Sequence, residues 1–320
     1  MGYGIGGYIG MSIQSAFGTP TSSPFYIPFV SENLTENLNY LQIENLRSVY
    51  DAPNSVKGIN NVTGDIVFEP HPIYTGFFLE SCIGTSTSTL TTSLYVHEFL
   101  PRQTDFAADC ALTPYTITMY KNVGSSYMIA DAQIHTMAFE IVAGAIVRCT
   151  ASVHGRELTK VVKATPTYIE ADPYTWNQTS LQVAGSANGE FESATITIEN
   201  PMVGVPTLNG ELTEGKLLRD GFRNITVTGD QSFDTQAQEA KFRDGTLQSF
   251  KFTLTGDTVV GHTGQYNQLT FDMPDVKYTT FASPIAGAGR ITAAYEGKAQ
   301  YDTTSSYALR VTLANTYAAY

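Results

Sequence analysis

The side chains able to do acid–base, nucleophilic or metal chemistry are few in this sequence, and they are scattered. The histidines are His71, His97, His135, His154 and His262, and none has a second His or Cys at metal-ligand spacing. His97-Glu98 lacks the second His of a zinc-protease helix and lies in a strand-like run, so each His is expected to be a surface or hydrogen-bonded residue. The cysteines, Cys82, Cys110 and Cys149, are odd in number and form no C-x-x-C pair. That argues against a disulfide framework or a zinc site and for reduced, mostly buried thiols. There is no G-x-S-x-G elbow and no P-loop; the cluster Gly4, Gly6, Gly7, Gly10 has no strand before it and no convincing helix after it. Asp272 and Asp275 could form the carboxylate pair of a glycoside hydrolase, but residues three apart on a strand point to opposite faces. The lone Trp176 argues against a sugar-binding cleft. No catalytic, cofactor-binding or metal-ligating residue is assigned, no cofactor is expected, and the chain reads as a non-enzyme.

The bulk composition points elsewhere. Hydrophobic residues make up 42% of the 320 and charged residues only 15%, so the surface is built from Thr, Ser, Asn, Gln and Gly. Such a surface suits β-structure with extensive subunit contacts, where a monomer of this size would carry more charge. The net charge of −12 divides evenly between the two 160-residue halves, without an acidic tail or a Lys/Arg cluster. A chain of this kind grips phosphates poorly, yet it can sit beside nucleic acid and repel it. No run approaches 18 apolar residues, so no membrane partner is expected. Residues 1–14 lack the basic and apolar regions of a signal peptide, and Gly6 stands where a myristoylation motif wants Ser or Thr. Synthesis in a cytoplasm, without an anchor, is the expectation.

The elements that would position any site appear twice. Asp131 and Asp275 each open a short alternating run, followed by Ala143-Gly144 or Ala288-Gly289 and then by Arg148 or Arg290. The string Val-Thr-Gly-Asp occurs at 62–65 and 227–230, each preceded by a Glu-Asn pair (Glu32-Asn33, Glu199-Asn200) and followed by a helix-like run ending at Gly84 or Gly245. Landmarks recurring in order over half a chain imply a tandem domain duplication. The expected organisation is an N-terminal arm at 1–24, a first domain at 25–160, a linker at 161–185 and a second domain at 186–320. Two domains near 150 residues fit the usual size range.

Strands are expected at 25–31, 59–68, 94–100, 115–122, 129–139 and 146–153, then at 194–199, 224–233, 247–254, 266–273, 276–282, 290–301 and 307–314. A Ser/Thr loop is expected at 85–92. One helix is expected at 71–83, packing through Tyr74, Phe77, Phe78 and Cys82, with Gly76 weakening it by about 1 kcal/mol relative to Ala. Another runs from the Asp234 cap to Arg243, with Ala237, Ala240 and Phe242 toward the sheet. Each half thus reads as a β-sandwich or small barrel with one flanking helix, all-β with minor α. Two long connections carry apolar residues: 34–58, with Leu38, Leu41, Ile43, Leu46 and Tyr50, and 201–220, with Met202, Val203, Val205, Leu208, Leu212, Leu217 and Leu218. Long loops that are neither short nor disordered are expected to bury themselves on a neighbouring molecule or to act as flaps over their own sheet.

The chain resembles the two-domain tail tube (major tail) proteins of long-tailed bacteriophages. The resemblance rests on Gly18-Thr19-Pro20 after the Gly-Tyr-rich start, Gly58 with Val62-Thr63-Gly64-Asp65, Glu69-Pro70, and the helix ending at Gly84. It is strongest at Asp275-Val276-Lys277-Tyr278, residues 287–292, Tyr301-Asp302 and residues 309–315. It implies two tandem tube-like domains and a virion structural protein. Three chains would make a pseudo-hexameric ring, rings would stack into a tube, and inner strands would join around a channel. The implied partners are further copies of the chain, a tape-measure protein, tail terminator and distal tail proteins, and viral DNA passing without specific binding. A secreted carbohydrate-binding β-sandwich, a distal tail protein and a head-decoration protein are the alternatives.

Overall fold

The computed structural model describes all residues except Met1, Ser23, Thr85, Thr92, Val260, Gly261, Thr263 and Ala286. The first half runs β1 (Tyr8–Ile13), β2 (Phe25–Ile27), β3 (Ser31–Glu32), β4 (Thr35–Asn37), β5 (Leu41–Gln42), β6 (Ser55–Val56), β7 (Asn61–Phe68), α1 (Thr75–Cys82), β8 (Ser86–Thr91), β9 (Leu94–Phe99), β10 (Tyr115–Tyr120), β11 (Ser126–Val142), β12 (Arg148–Gly155) and β13 (Glu157–Val161). The second runs β14 (Thr179–Val183), β15 (Ser186–Ala187), β16 (Ser193–Glu199), β17 (Met202–Val205), β18 (Lys216–Arg219), β19 (Asn224–Ser232), α2 (Ala237–Asp244), β20 (Gln248–Thr258), β21 (Tyr266–Ala282), β22 (Thr292–Gln300) and β23 (Arg310–Asn315). Among the described residues, nineteen strands join one antiparallel sheet system, and β5–β6 and β17–β18 form separate hairpins. The protein is all-β with minor α.

The two long strands organise this sheet. The first part of β11 lies between β10 and β13, and its last part between β12 and β16. The first part of β21 likewise lies between β20 and β23, and its last part pairs with β22. The change of partners has a local cause in each strand. In β11, Asp131 adopts φ 54° and is fully buried; its Oδ1 accepts the Gly18 N–H at 2.6 Å, and Arg156 pairs with it at 2.8 Å. In β21, Pro274 falls where the register against β20 shifts, so its missing N–H costs no ladder bond. This explains why the sequence pattern reads β21 as two strands.

Alternation sets the inner face. In β16, Ala194, Ile196 and Ile198 are buried while Thr195 and Thr197 point the other way. Most of the buried apolar side chains form one connected cluster running through both halves, from Ile9 to Leu313, beside a small separate cluster of Tyr8, Tyr26 and Tyr120. The stretch at 161–185 therefore does not separate two cores: Tyr174 is wholly buried there, and β14 pairs with β20. Within the stretch expected as an N-terminal arm, β1 is buried between β10 and β2. The Ser/Thr stretch expected as a loop forms β8, paired with β9.

Helix α1 is buried along its whole length, and Tyr74, Phe77, Phe78 and Cys82 are among the buried side chains. Helix α2 is oriented differently. Ala237 and Ala240 are exposed and Phe242 is half-buried. The buried residue is Gln238, whose Oε1 accepts hydrogen bonds from Tyr278 Oη and Gln248 Nε2. A polar residue with partners on the next strand, β20, and on β21 displaces the two alanines from the contact face.

Candidate assembly surfaces

One stretch of the sheet is continuous through the chain. Starting from the β3 and β4 segments, it passes through β7, β12, β11, β16, β19 and β22 to β21, antiparallel at every step. Its core-facing side carries Ile66, Val153, Phe139, Ile196, Val227 and Tyr295, all buried. The opposite side is rich in hydroxyls: Thr63, Thr150, Ser152, Thr136, Thr195, Thr197, Thr226 and Thr228 follow one another across the strands. Carboxylates stand among them at Asp65, Glu140, Glu199, Asp230 and Glu296, against the cations Arg148, Lys277 and Lys298. A face that is polar, acidic in balance and without a basic cluster attracts little phosphate. Which outward face forms one continuous surface depends on strand order.

The two hairpins end this face. In the first, Leu41, Leu46 and Tyr50 are exposed, and Leu38 and Ile43 are half-buried. In the second, Val203, Leu208 and Leu212 are exposed, Met202, Val205 and Leu218 are half-buried, and Leu217 is fully buried. Its base is folded back on the first half. The Asn60 N–H donates to the Leu212 carbonyl at 2.7 Å, Leu217 bonds with Asp109 and Ala111, and Glu214 meets both His154 and Asn61. This hairpin is thus a flap at its base, with an apolar tip left free.

The residues with chemical potential are tied into the fold. Burial pushes His71 down to about 4, and its Nδ1 accepts the Ile73 N–H. His97 is enclosed by Ser88, Asn315 and the Tyr317 carbonyl, and burial lowers it as well. Burial also lowers His135, with His154 nearby adding to the effect. All three cysteines are buried; burial raises Cys82 to about 12, so its nucleophilic thiolate is scarce. Asp272 is engaged by Arg310 at 2.7 Å and by the Tyr307 hydroxyl at 2.9 Å. Among the described residues, no group of three or more His, Cys, Asp or Glu could hold a metal ion, and no helix is long and apolar enough to cross a membrane.

A polar sheet face, apolar hairpin tips and a sheet with open ends describe a structural protein that builds a wall from its own copies. Over residues 4–312 the sequence matches the phage tail tube protein family, and the chain belongs to that family. It is a structural component of the virion tail that self-assembles into a tube. The carbohydrate-binding alternative falls to this match. A search of curated proteins finds no match to the chain.

Proposed function

We propose that three copies of this chain close into a ring, that rings stack into the tail tube, and that the hydroxyl-rich sheet face lines the channel for viral DNA. The observation that carries this reading is the unbroken course of that face across both halves, from β3 to β21. A tandem duplication accounts for the recurring succession of elements, with α1 between β7 and β10, and α2 between β19 and β20. On this reading 25–160 and 186–320 are two wall units sharing one core, so three chains supply six units. Closure removes strand edges that would otherwise aggregate. The free tips of the 34–58 and 201–220 hairpins reach the next ring. The tube grows in the host cytoplasm, meets a tape-measure protein inside and terminator and distal tail proteins at its ends, and performs no catalysis.

Glu140, Glu199, Asp230 and Glu296 are the carboxylates assigned to the channel, where they keep DNA sliding without adhesion. Replacing Glu140, Glu199 and Asp230 together by Lys tests the assignment. The expected result is normal tubes in electron micrographs with slowed DNA ejection from assembled particles. Unchanged ejection kinetics would overturn it.

A further inference from the structure

One internal junction of the sheet has an unpartnered counterpart. Within the chain, the end of β11 pairs with β16, from Thr136 opposite Glu199 to Val142 opposite Ser193. Beyond Lys277, β21 pairs only with β22, and β3 and β4 pair only with β7, so among the described residues each leaves one edge open. The two long strands can be laid on each other by their bulges. The register of β11 against β12 shifts at His135, and that of β21 against β22 shifts at Thr279. Past its bulge, β11 continues to Val142, with its partner β16 alongside; β21 stops at Ala282.

On this superposition Ile141 corresponds to Ile285. Ile141 is 7% exposed, held in the junction with β16, whereas Ile285 is 77% exposed. Their surroundings correspond too. A cavity of about 330 Å³ at the start of β16 is lined by Ile141, Ala143, Phe191 and Ala194. A cavity of about 740 Å³ at the start of β3 is lined by Phe29, Val30, Ser31, Tyr168 and Ile169, with Tyr8 and Ile9 of β1 and Met119 and Tyr120 of β10 completing its wall. Phe29 precedes Ser31 by the same step as Phe191 precedes Ser193. Val30, Tyr168 and Ile169 are exposed there.

We propose that the β21 edge of one copy pairs antiparallel with the β3–β4 edge of a second copy, and that Ile285 seats in the cavity beside Phe29 and Val30. The junction repeats between chains what β11 and β16 do within one, and it rests on the tube reading above. Carrying the internal register over through the bulges sets Ala282 opposite Thr35 and Thr280 opposite Asn37 of the neighbour. Glu32 at the cavity rim is paired with Lys121 at 3.2 Å, and the exposed Glu170 also lines the cavity.

Cysteine cross-linking tests the register. Ala282 and Thr35 are exposed and the three native cysteines are buried, which keeps the background low. A chain carrying Ala282→Cys and Thr35→Cys, assembled and then oxidised, should run as a covalent ladder on denaturing gels. Either single variant should not, and neither should Ala282→Cys with Ser31→Cys, displaced by roughly 13 Å along the strand. Independently, Ile285→Asp should lower the assembled fraction about tenfold or more while Ile285→Val retains it, with the unfolding midpoint of the unassembled subunit unchanged. Tubes that form without the ladder, or that tolerate Ile285→Asp, overturn the junction alone. Native protein that makes no rings at any concentration overturns the tube reading, and the junction with it.

Discussion

His154 Nε2 lies 2.7 Å from Glu214 Oε2, and this contact straps the β17–β18 hairpin to strand β12 of the other half. Asn61 Nδ2 adds a second bond to the same carboxylate at 2.9 Å. The carboxylate also occupies the only space a side chain at residue 204 could take: a Cβ there would sit 2.0 Å from Glu214 Cδ, so Gly204 must stay bare. Glu214→Ala leaves two mostly buried polar groups without their partner and should cost about 2–4 kcal/mol, whereas Glu214→Gln should cost less. Denaturant unfolding measures the loss. Hydrogen exchange should locate it in residues 202–219, and exchange spread evenly over the chain would contradict the strap.

Because the base of that hairpin is structural, its role in stacking must be tested at the tip. Leu208 and Leu212, and Leu46 and Tyr50 on the other hairpin, are exposed and hold no part of the core. Replacing each pair by Ser should leave subunit stability within about 0.5 kcal/mol, as surface substitutions do. Tubes should shorten to single rings or fail to form in negative-stain micrographs. Full-length tubes from the quadruple variant would show that the tips do not bind the next ring. Deleting residues 201–220 outright would instead remove Leu217 and Glu214 from the interior and confuse folding with assembly.

What was legible in the sequence follows from where each element finds its partners. Strands with one wet face, such as β16 and β23, announce themselves by alternation, and the helix end at Gly245 by its left-handed φ of 63°. Strand β1 escaped notice because Tyr8, Ile9, Gly10, Met11 and Ser12 are all buried, which leaves no alternation to read. Strand β8 escaped for the opposite reason: it is polar but for Leu90, and exposed from Thr87 to Thr91. Of the repeat landmarks, Val-Thr-Gly-Asp lies in β7 and in β19, but laying the strands on each other through their bulges sets Asp65 on Thr228, two residues short of Asp230. The Glu-Asn pairs also mark different places, since Glu32 ends β3 within the edge segment while Glu199 closes β16. The threonines of the polar face and the exposed Ile285 gain meaning only from strand order, which no single segment encodes.

Acid should weaken the fold through His71. Burial holds this imidazole at about 4, below its ordinary 6.5, so the unfolded chain binds the proton first as pH falls. The stability due to the neutral ring is complete above 6.5 and is lost progressively between 6.5 and 4, by at most about 3 kcal/mol. His71→Asn can keep an acceptor for the Ile73 N–H without the titrating ring. Its unfolding free energy should therefore change less over that interval than the native protein's. Parallel curves for the two proteins would remove His71 as the cause.

The packing of α1 depends on the absence of a side chain at Gly76. A Cβ there would meet Tyr320 ring carbons at 2.1–2.5 Å, far inside contact distance. The ring cannot move away freely: its hydroxyl donates to the Ile73 carbonyl at 2.6 Å and accepts from Asn315 Nδ2 at 2.7 Å, and the ring meets Phe77 and His97 edge-on. Helix propensity alone favours Gly76→Ala by about 1 kcal/mol, while displacing the ring and breaking its bonds costs more, so the balance should be a net loss of about 1–3 kcal/mol. The double variant Gly76→Ala with Tyr320→Ala separates the two effects. Once the ring is gone, the alanine at 76 should become neutral or stabilising, and urea denaturation of the four proteins in the cycle gives the coupling directly. A coupling near zero would mean that Tyr320 does not constrain residue 76, and that Gly76 answers to some other demand of the helix.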